Sequence, residues 1–411
     1  MRRKIAILLT IAVVGGACSK KDLLGEGSTA QDAAKRPSAE RCGTILKAPA
    51  DGVKISGSTV LLADKSASSF TRPNSDHRQD WLAKLGAHVP TNGTDLVAMG
   101  LFGGAVDWKF QKVTPGRSND AARTQNDLDD ARSCLIGDMA DAIKSPPTKP
   151  QTDVLRALAE GAVYVKDRPG AKSLYIATDG LSNTGCADLR GADIGDLSAI
   201  PAMVSACEPE LPKLGKDFTV HFLGIGNAAE GWSDIKTPQR TWLVTLWKAL
   251  CDATGANCSE PQSAKPDSVA DDNAALLSDE DVTMPKIINT PGNPTVLTVP
   301  ASLLFDTDSY TLATGRSQDA LDEVFKLLGA LKYSRIEVAG HTDSTGTPEH
   351  NRTLSRQRAD TVAGELLSRS FHNIEPKGYA STRPACPEFT NGQPDRAGMA
   401  CNRRVEIIVY S

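Results

Sequence analysis

Residues 59–68 read Thr-Val-Leu-Leu-Ala-Asp-Lys-Ser-Ala-Ser, a short apolar run that ends in polar residues. A strand that is buried on both faces has such a continuous apolar run, whereas a half-buried strand alternates. Residues 174–177 and 218–225 form two later runs of the same character. The sequence therefore predicts three buried strands of one sheet.

Helix-like stretches separate these strands, and residues 153–165 and 242–253 are two of them. Strands that alternate with helices indicate an α/β fold with a doubly wound parallel sheet. Ligands of such sheets bind beyond the carboxyl ends of the strands. Asp64 and Asp179 each follow a predicted strand, so we expect both carboxylates at that edge of the sheet.

The residues at this edge are hard oxygen ligands of the kind that Mg²⁺ prefers. Asp64, Ser66 and Ser68 form an Asp-x-Ser-x-Ser motif after the first strand, Thr152 opens a later helix, and Asp179 follows another strand. The set resembles the metal-ion-dependent adhesion site of von Willebrand factor type A domains, with residues 43–258 as the domain. That resemblance implies one bound Mg²⁺, with Mn²⁺ or Ca²⁺ as substitutes.

In that family the open position of the metal accepts an acidic group from a protein partner, so the resemblance implies regulated protein binding. Two other interpretations remain open for these residues. Thr152 can be a simple helix N-cap, because threonine is common there. The domain can also be one that has lost its metal.

The last part of the chain shows a second ordered set of motifs. Apolar residues recur at helical spacing from Leu321 to Leu331, and residues 336–339 alternate like a half-buried strand. The loop at 340–346, a helix at 351–367 and a final strand from 402 follow. In this order the motifs resemble the OmpA-like peptidoglycan-binding domain, which we place at residues 299–411.

The ligand of that family is the diaminopimelate of peptidoglycan, whose free end carries an ammonium and a carboxylate. The resemblance implies that Asp343 meets the ammonium and that Arg358 meets the carboxylate, with Asn351 assisting. A guanidinium can bind a carboxylate through two parallel hydrogen bonds. Asp308 and Arg404 fall near ligand-facing positions. Alternatively, Asp343 and Arg358 pair only with each other, and Arg404 merely holds the final strand.

The N-terminus has the pattern of a secretory signal. Arg2, Arg3 and Lys4 precede an apolar run that ends in small residues before Cys18. Small residues followed by cysteine resemble the bacterial lipobox, which implies a signal peptide at 1–17 and a lipid on Cys18. The alternative is a soluble periplasmic protein. Residue 19 is serine, and it lacks the aspartate that retains many lipoproteins at the inner membrane, so the outer membrane is favoured.

The cysteine count agrees with a lipid on Cys18. The chain has nine cysteines, and an odd count in a secreted protein leaves one thiol over. The other eight can all pair in an oxidising compartment. Short loops favour Cys251 with Cys258 and Cys386 with Cys401. Cys42 with Cys134 and Cys186 with Cys207 would be the remainder, although sequence alone does not fix the connectivity.

Composition divides the chain further. Residues 18–42 have the small and polar residues of a lipid-anchored tether, and residues 259–298 have the composition of a linker. The formal net charge of −4 argues against a nucleic-acid partner, which calls for a basic surface.

Together these features predict a binding and tethering protein of the outer membrane that faces the periplasm, with peptidoglycan and an unknown protein as partners. Catalysis is not expected, because no general base sits in the metal motif. Two alternatives are an anchoring subunit of a secretion, motor or adhesion machine and, less favoured, a metal-dependent cell-wall hydrolase.

The lipid anchor has a direct test. A Cys18→Ser variant should move from the membrane fraction to the soluble periplasmic fraction, because the proposed acylation site is lost. Fractionation with labelled fatty acid measures this. A variant that still sediments with membranes, or a wild-type protein that takes up no label, would show that the chain is not anchored in this way.

Overall fold

The computed structural model describes residues 36–49, 54–66, 77–90, 94–116, 121–144, 150–228, 235–262, 282 and 284–411. The predicted signal peptide, Cys18 and Ser68 lie outside these residues. Within them, no helix combines the length and the apolar character needed to cross a membrane. Two main sheets organise the described chain, one in a middle domain (described residues 36–262) and one in a C-terminal domain (residues 288–411).

The middle domain is built on a six-stranded sheet in the order β3-β2-β1-β4-β5-β6. β1 lies at its centre and pairs in parallel with both β2 and β4, whereas the edge strand β3 is antiparallel. This arrangement confirms the predicted α/β fold with a largely parallel sheet. The strands are β1 (Gly57–Asp64), β2 (Asp95–Phe102), β3 (Val106–Val113), β4 (Ala171–Ala177), β5 (Phe218–Leu223) and β6 (Asn257–Cys258).

Apolar residues form a core on each face of this sheet. Val60 and Leu62 pack into one core, and Leu61 and Ala63 pack into the other. Successive side chains of a strand point to opposite faces, so burial on both faces requires the continuous apolar run of β1. The helices are α1 (Ala39–Ile45), α2 (His77–Gly86), α3 (Ala121–Ile143), α4 (Val154–Val165), α5 (Ile200–Cys207) and α6 (Thr237–Ala253).

The C-terminal domain has a five-stranded sheet in the order β10-β9-β13-β8-β7. Its core is apolar and joins α8 and α9 to the central strands. The strands are β7 (Ile288–Thr290), β8 (Thr295–Pro300), β9 (Arg335–Gly340), β10 (Ile374–Gly378) and β13 (Arg404–Tyr410), with a separate pair β11 (Phe389–Thr390) and β12 (Gln393–Pro394). The helices are α7 (Ala301–Leu304), α8 (Arg316–Gly329), α9 (Pro348–Ser368) and α10 (Arg396–Asn402).

Regular elements extend into the segments predicted as tether and linker. α1 begins at Ala39, and Ser38 caps it by accepting a hydrogen bond from the Arg41 backbone nitrogen. β7 and most of β8 lie before residue 299, and β8 pairs with β13. α1 and β8 depend on partners far away in the sequence, which local composition does not reveal.

All four disulfides that the sequence favours are present. They join Cys42 to Cys134, Cys186 to Cys207, Cys251 to Cys258, and Cys386 to Cys401. The first crosslinks residues 92 positions apart and fastens α1 to α3. The third closes a loop with a separation of only 7.

The two loop lengths predict different stabilities for the matched double variants. Replacing Cys42 and Cys134 by alanine should lower the free energy of unfolding by about 4–5 kcal/mol. A crosslink that closes a long loop removes more conformational entropy from the unfolded chain than one that closes a short loop. Replacing Cys251 and Cys258 should cost about 2–3 kcal/mol. Urea unfolding followed by circular dichroism measures both. An equal loss in the two variants would contradict this entropic account.

Candidate functional sites

A cavity of about 740 Å³ lies beside the loop that follows β9 and the start of α9. Its walls include four of the residues that the sequence singled out, namely Asp308, Asp343, Asn351 and Arg358. α9 begins at this cavity because Thr347 caps it, accepting a hydrogen bond from the His350 backbone nitrogen. The structure therefore brings these four residues into one site.

Asp343 is nearly buried, and both of its carboxylate oxygens are bonded. Oδ1 accepts a hydrogen bond from the Thr345 backbone nitrogen at 2.9 Å. Oδ2 forms an ion pair with Arg403 Nη1 at 2.7 Å. Asn351 Nδ2 donates to the backbone oxygens of Asp343 and Thr345, so it holds this turn in place. Arg403, rather than Arg358, is therefore the ion-pair partner of Asp343.

Arg358 reaches the cavity from α9 and is 4% exposed. Its Nε donates to the Ser309 backbone oxygen at 2.8 Å, and its guanidinium lies 5.2 Å from the centre of the Phe305 ring. Its Nη atoms donate no hydrogen bond to any residue that the structure describes. Burial lowers the pKa of Arg358 to about 10, so the side chain keeps its charge at neutral pH. The guanidinium is therefore held through Nε at the lining of the cavity.

Asp308 lines the cavity at its rim, and His350 Nε2 lies 2.5 Å from its Oδ1. Arg404 does not line this cavity. Its side chain is 5% exposed and is bonded to Glu406 and to the backbone oxygens of Asn402 and Arg383. These contacts agree with the alternative that Arg404 holds the final strand, and a role of Arg404 in ligand binding stays a prediction.

The cavity contains two charged residues that the sequence analysis missed, Arg403 and Asp193. Arg403 precedes β13 and joins Asp343 to Asp193, which lies in the middle domain. The two adjacent arginines at the start of the final strand were a signal in the sequence. Only the strand register decides which one faces the cavity, because neighbouring residues point to opposite faces.

The predicted metal residues form a second group at the carboxyl edge of the middle sheet. Asp64 Oδ1 accepts from the Ser66 backbone nitrogen at 2.8 Å, and Oδ2 accepts from Thr178 Oγ1 at 2.7 Å. Asp179 follows Thr178 directly, and both aspartates have no exposed surface. Burial raises the pKa of Asp64, because the charged carboxylate has lost its water.

Thr152 joins this group through the loop that follows Asp179. Its backbone nitrogen donates to Asn183 Oδ1 at 2.7 Å, and its backbone oxygen accepts from Ser182 Oγ at 2.9 Å. The N-cap of α4 is Asp153, which accepts from the Arg156 backbone nitrogen. The alternative that Thr152 is a simple N-cap is therefore wrong. Thr152 Oγ1 is buried without a hydrogen-bond partner in the described chain.

This donor set fits a hard divalent cation. Two buried carboxylates are oxygen ligands, and so is the Thr152 hydroxyl, which has no hydrogen-bond partner among the described residues. A divalent charge would offset the cost of burying the carboxylates. Across the described ranges, no group of three or more histidine, cysteine, aspartate or glutamate side chains is placed to hold a metal. A cation here would therefore use hydroxyl and water oxygens beside its two carboxylates.

Comparison with known proteins places the C-terminal domain in a family. Residues 304–396 match the OmpA family. The peptidoglycan-associated lipoprotein of Legionella pneumophila is 38% identical over 108 residues, which are 26% of this chain and 57% of that protein. The probable lipoprotein YiaD of Escherichia coli is 36% identical over 118 residues, which are 28% of this chain and 51% of that protein.

Solved structures show a partial likeness. The cell wall anchor of the T6SS from Pseudomonas aeruginosa is 26% identical, with a TM-score of 0.27, and the match covers 30% of this chain and 87% of that one. The chain spans about half the length of the two curated relatives above. The family match of residues 304–396 identifies the C-terminal domain as OmpA-like, which confirms that part of the sequence prediction.

Proposed function

We propose that this protein is a lipoprotein of the outer membrane, facing the periplasm, that binds peptidoglycan non-covalently through diaminopimelate. The observation that supports this most is the cavity of the OmpA-like domain, whose lining includes both Asp343 and Arg358. An anion and a cation at one site match the ammonium and the carboxylate at the free end of diaminopimelate. The name of the Legionella relative, peptidoglycan-associated lipoprotein, agrees with this proposal.

Arg358 is suited to the carboxylate of the ligand. Its Nε is fixed by Ser309, and its outer nitrogens remain for two parallel hydrogen bonds. Its burial strengthens such bonds, because little water competes for them. Asp343 attracts the ammonium of the ligand, and Asn351 preserves the turn that carries Asp343.

We further propose that the middle domain binds a protein partner through one divalent cation, Mg²⁺ by preference. Asp64, Ser66, Thr152 and Asp179 would hold it, and Ser68 would complete the motif outside the described residues. The metal would supply an electrophilic centre for an acidic group of the partner. The chain's own residues would only bind and orient, so the proposed role is attachment rather than catalysis.

The wall-binding proposal is tested by an Arg358→Lys variant in a sedimentation assay with isolated sacculi. The variant keeps the positive charge but loses the planar fork, so affinity should fall by at least about tenfold. Arg356 is the matched control, because it lies on the same helix in an exposed pair with Asp360. Arg356→Lys should bind like the wild type.

Circular dichroism shows whether both variants fold.

Sacculi that carry lysine in place of diaminopimelate should bind the wild type poorly, because lysine lacks the carboxylate that Arg358 would bind. Equal sedimentation of folded Arg358→Lys and wild-type protein would overturn the assignment of this cavity.

The metal proposal is tested by thermal unfolding with Mg²⁺ and with a chelator. Mg²⁺ at about 100 times its dissociation constant should stabilise the wild type by about 2.7 kcal/mol. An Asp64→Asn, Asp179→Asn double variant should show no shift. Asp217→Asn is the control, because Asp217 is outside the predicted ligand set and pairs with Lys172. A Mg²⁺ shift of the same size in the double variant would refute the site.

A further inference from the structure

One residue that lines the cavity of the OmpA-like domain comes from the middle domain. Asp193 lies in the loop between β4 and α5, yet it lines the cavity together with Asp343 and Arg358. Arg403 Nη2 donates to Asp193 Oδ1 at 3.1 Å, while Arg403 Nη1 donates to Asp343 Oδ2 at 2.7 Å. One guanidinium therefore joins two carboxylates that come from different domains.

The loop that carries Asp193 is packed closely against the C-terminal domain. Arg403 Nη2 also donates to the Gly191 backbone oxygen at 3.3 Å. Gly191 has a φ of 73°, and a Cβ there would lie 2.1 Å from the Arg396 backbone oxygen. Any other residue would be strained and would force the two domains apart, so glycine permits this contact.

A second anchor holds the same loop. Asp196 is 1% exposed, and its Oδ2 accepts hydrogen bonds from Thr307 through the backbone nitrogen at 2.5 Å and through Oγ1 at 2.7 Å. Trp242 Nε1 donates to the Asp196 backbone oxygen at 2.8 Å. Asp196 thus connects helix α6 of the middle domain to the segment that continues into Asp308 and Ser309 of the cavity.

The charges explain what Asp193 adds. An ion pair with Arg403 neutralises Asp343, and a neutralised carboxylate attracts an ammonium only weakly. The second carboxylate, on the other side of Arg403, gives the three side chains of Asp193, Asp343 and Arg403 a net charge of about −1, and Asp193 also attracts the guanidinium of Arg358. The side chains of Asp193, Asp343 and Arg403 are at most 24% exposed, so water screens this charge only in part.

We propose that Asp193 is a specificity-determining residue of the wall-binding cavity, where it supplies the second carboxylate of the subsite for the ligand's ammonium. The site is then a composite of two domains, with Asp343 and Arg358 from one and Asp193 from the other. This inference rests on the proposed function. It adds that the cavity prefers ligands with a free ammonium only while the middle domain is packed against the C-terminal domain.

The test uses purified full-length protein and calorimetry with a muramyl tripeptide that ends in diaminopimelate. Asp193→Asn keeps the shape of the side chain and removes its charge, so affinity should fall about tenfold. Asp252→Asn is the matched control, because Asp252 is an acid of the same domain that pairs with Lys248 on an exposed helix face. The control should bind like the wild type.

A second ligand identifies the subsite. Amidation of the carboxylate on the amino-bearing end of diaminopimelate removes the proposed partner of Arg358 and leaves the ammonium. Asp193→Asn should weaken binding of this amidated tripeptide by a similar factor. A Thr307→Val variant, which loses one hydrogen bond to Asp196, should also bind more weakly if docking of the loop is required.

Each outcome has one meaning. Unchanged affinity of Asp193→Asn, beside weakened binding by Arg358→Lys, overturns the composite site and leaves wall binding intact. Tighter binding by Asp193→Asn also overturns it, because Asp193 would then compete with the ligand's carboxylate for Arg358. Failure of the wild type to bind the tripeptide overturns the proposed function and this inference with it.

Discussion

The burial of strand β1 on both faces is the constraint on which the middle domain depends. Its residues from Ser58 to Asp64 are all buried, and the apolar ones enter two cores in alternation. A charged side chain among the buried apolar residues Val60 to Ala63 would cost free energy without a partner, so the charged residue of this strand lies at its carboxyl end. Asp64 lies at the carboxyl end of the strand because the residues before it are buried in two apolar cores.

A different constraint positions the cavity of the C-terminal domain. Gly340 ends β9, and a Cβ at this position would lie 2.0 Å from the Ser355 backbone oxygen. The absence of a side chain lets helix α9 approach the end of the strand. Arg358 lies one turn beyond Ser355, so this close approach brings its guanidinium to the loop that carries Asp343. Backbone contact, rather than an attraction between the two charges, sets their placement.

Local patterns in the sequence were sufficient for much of this architecture. The apolar run of β1 and the ordered motifs of the C-terminal domain each depend on residues close together in the chain. The role of Arg403 could not be predicted in this way, because it depends on the register that pairs Arg404 with Pro300. Asp193 was beyond prediction for a further reason. Its position in the cavity depends on how two domains pack, and no periodicity within either domain encodes that contact.

The attachment of helix α1 has a mechanical consequence. Arg41 pairs with Asp127 and Asp130 on α3, and the disulfide of Cys42 joins the same two helices. A lipid at Cys18, as proposed, would make the chain before α1 the point where tension between membrane and wall enters the protein. The disulfide would transmit that load to the long helix α3 and would keep α1 attached to it. The protein would then carry mechanical load between the outer membrane and the peptidoglycan.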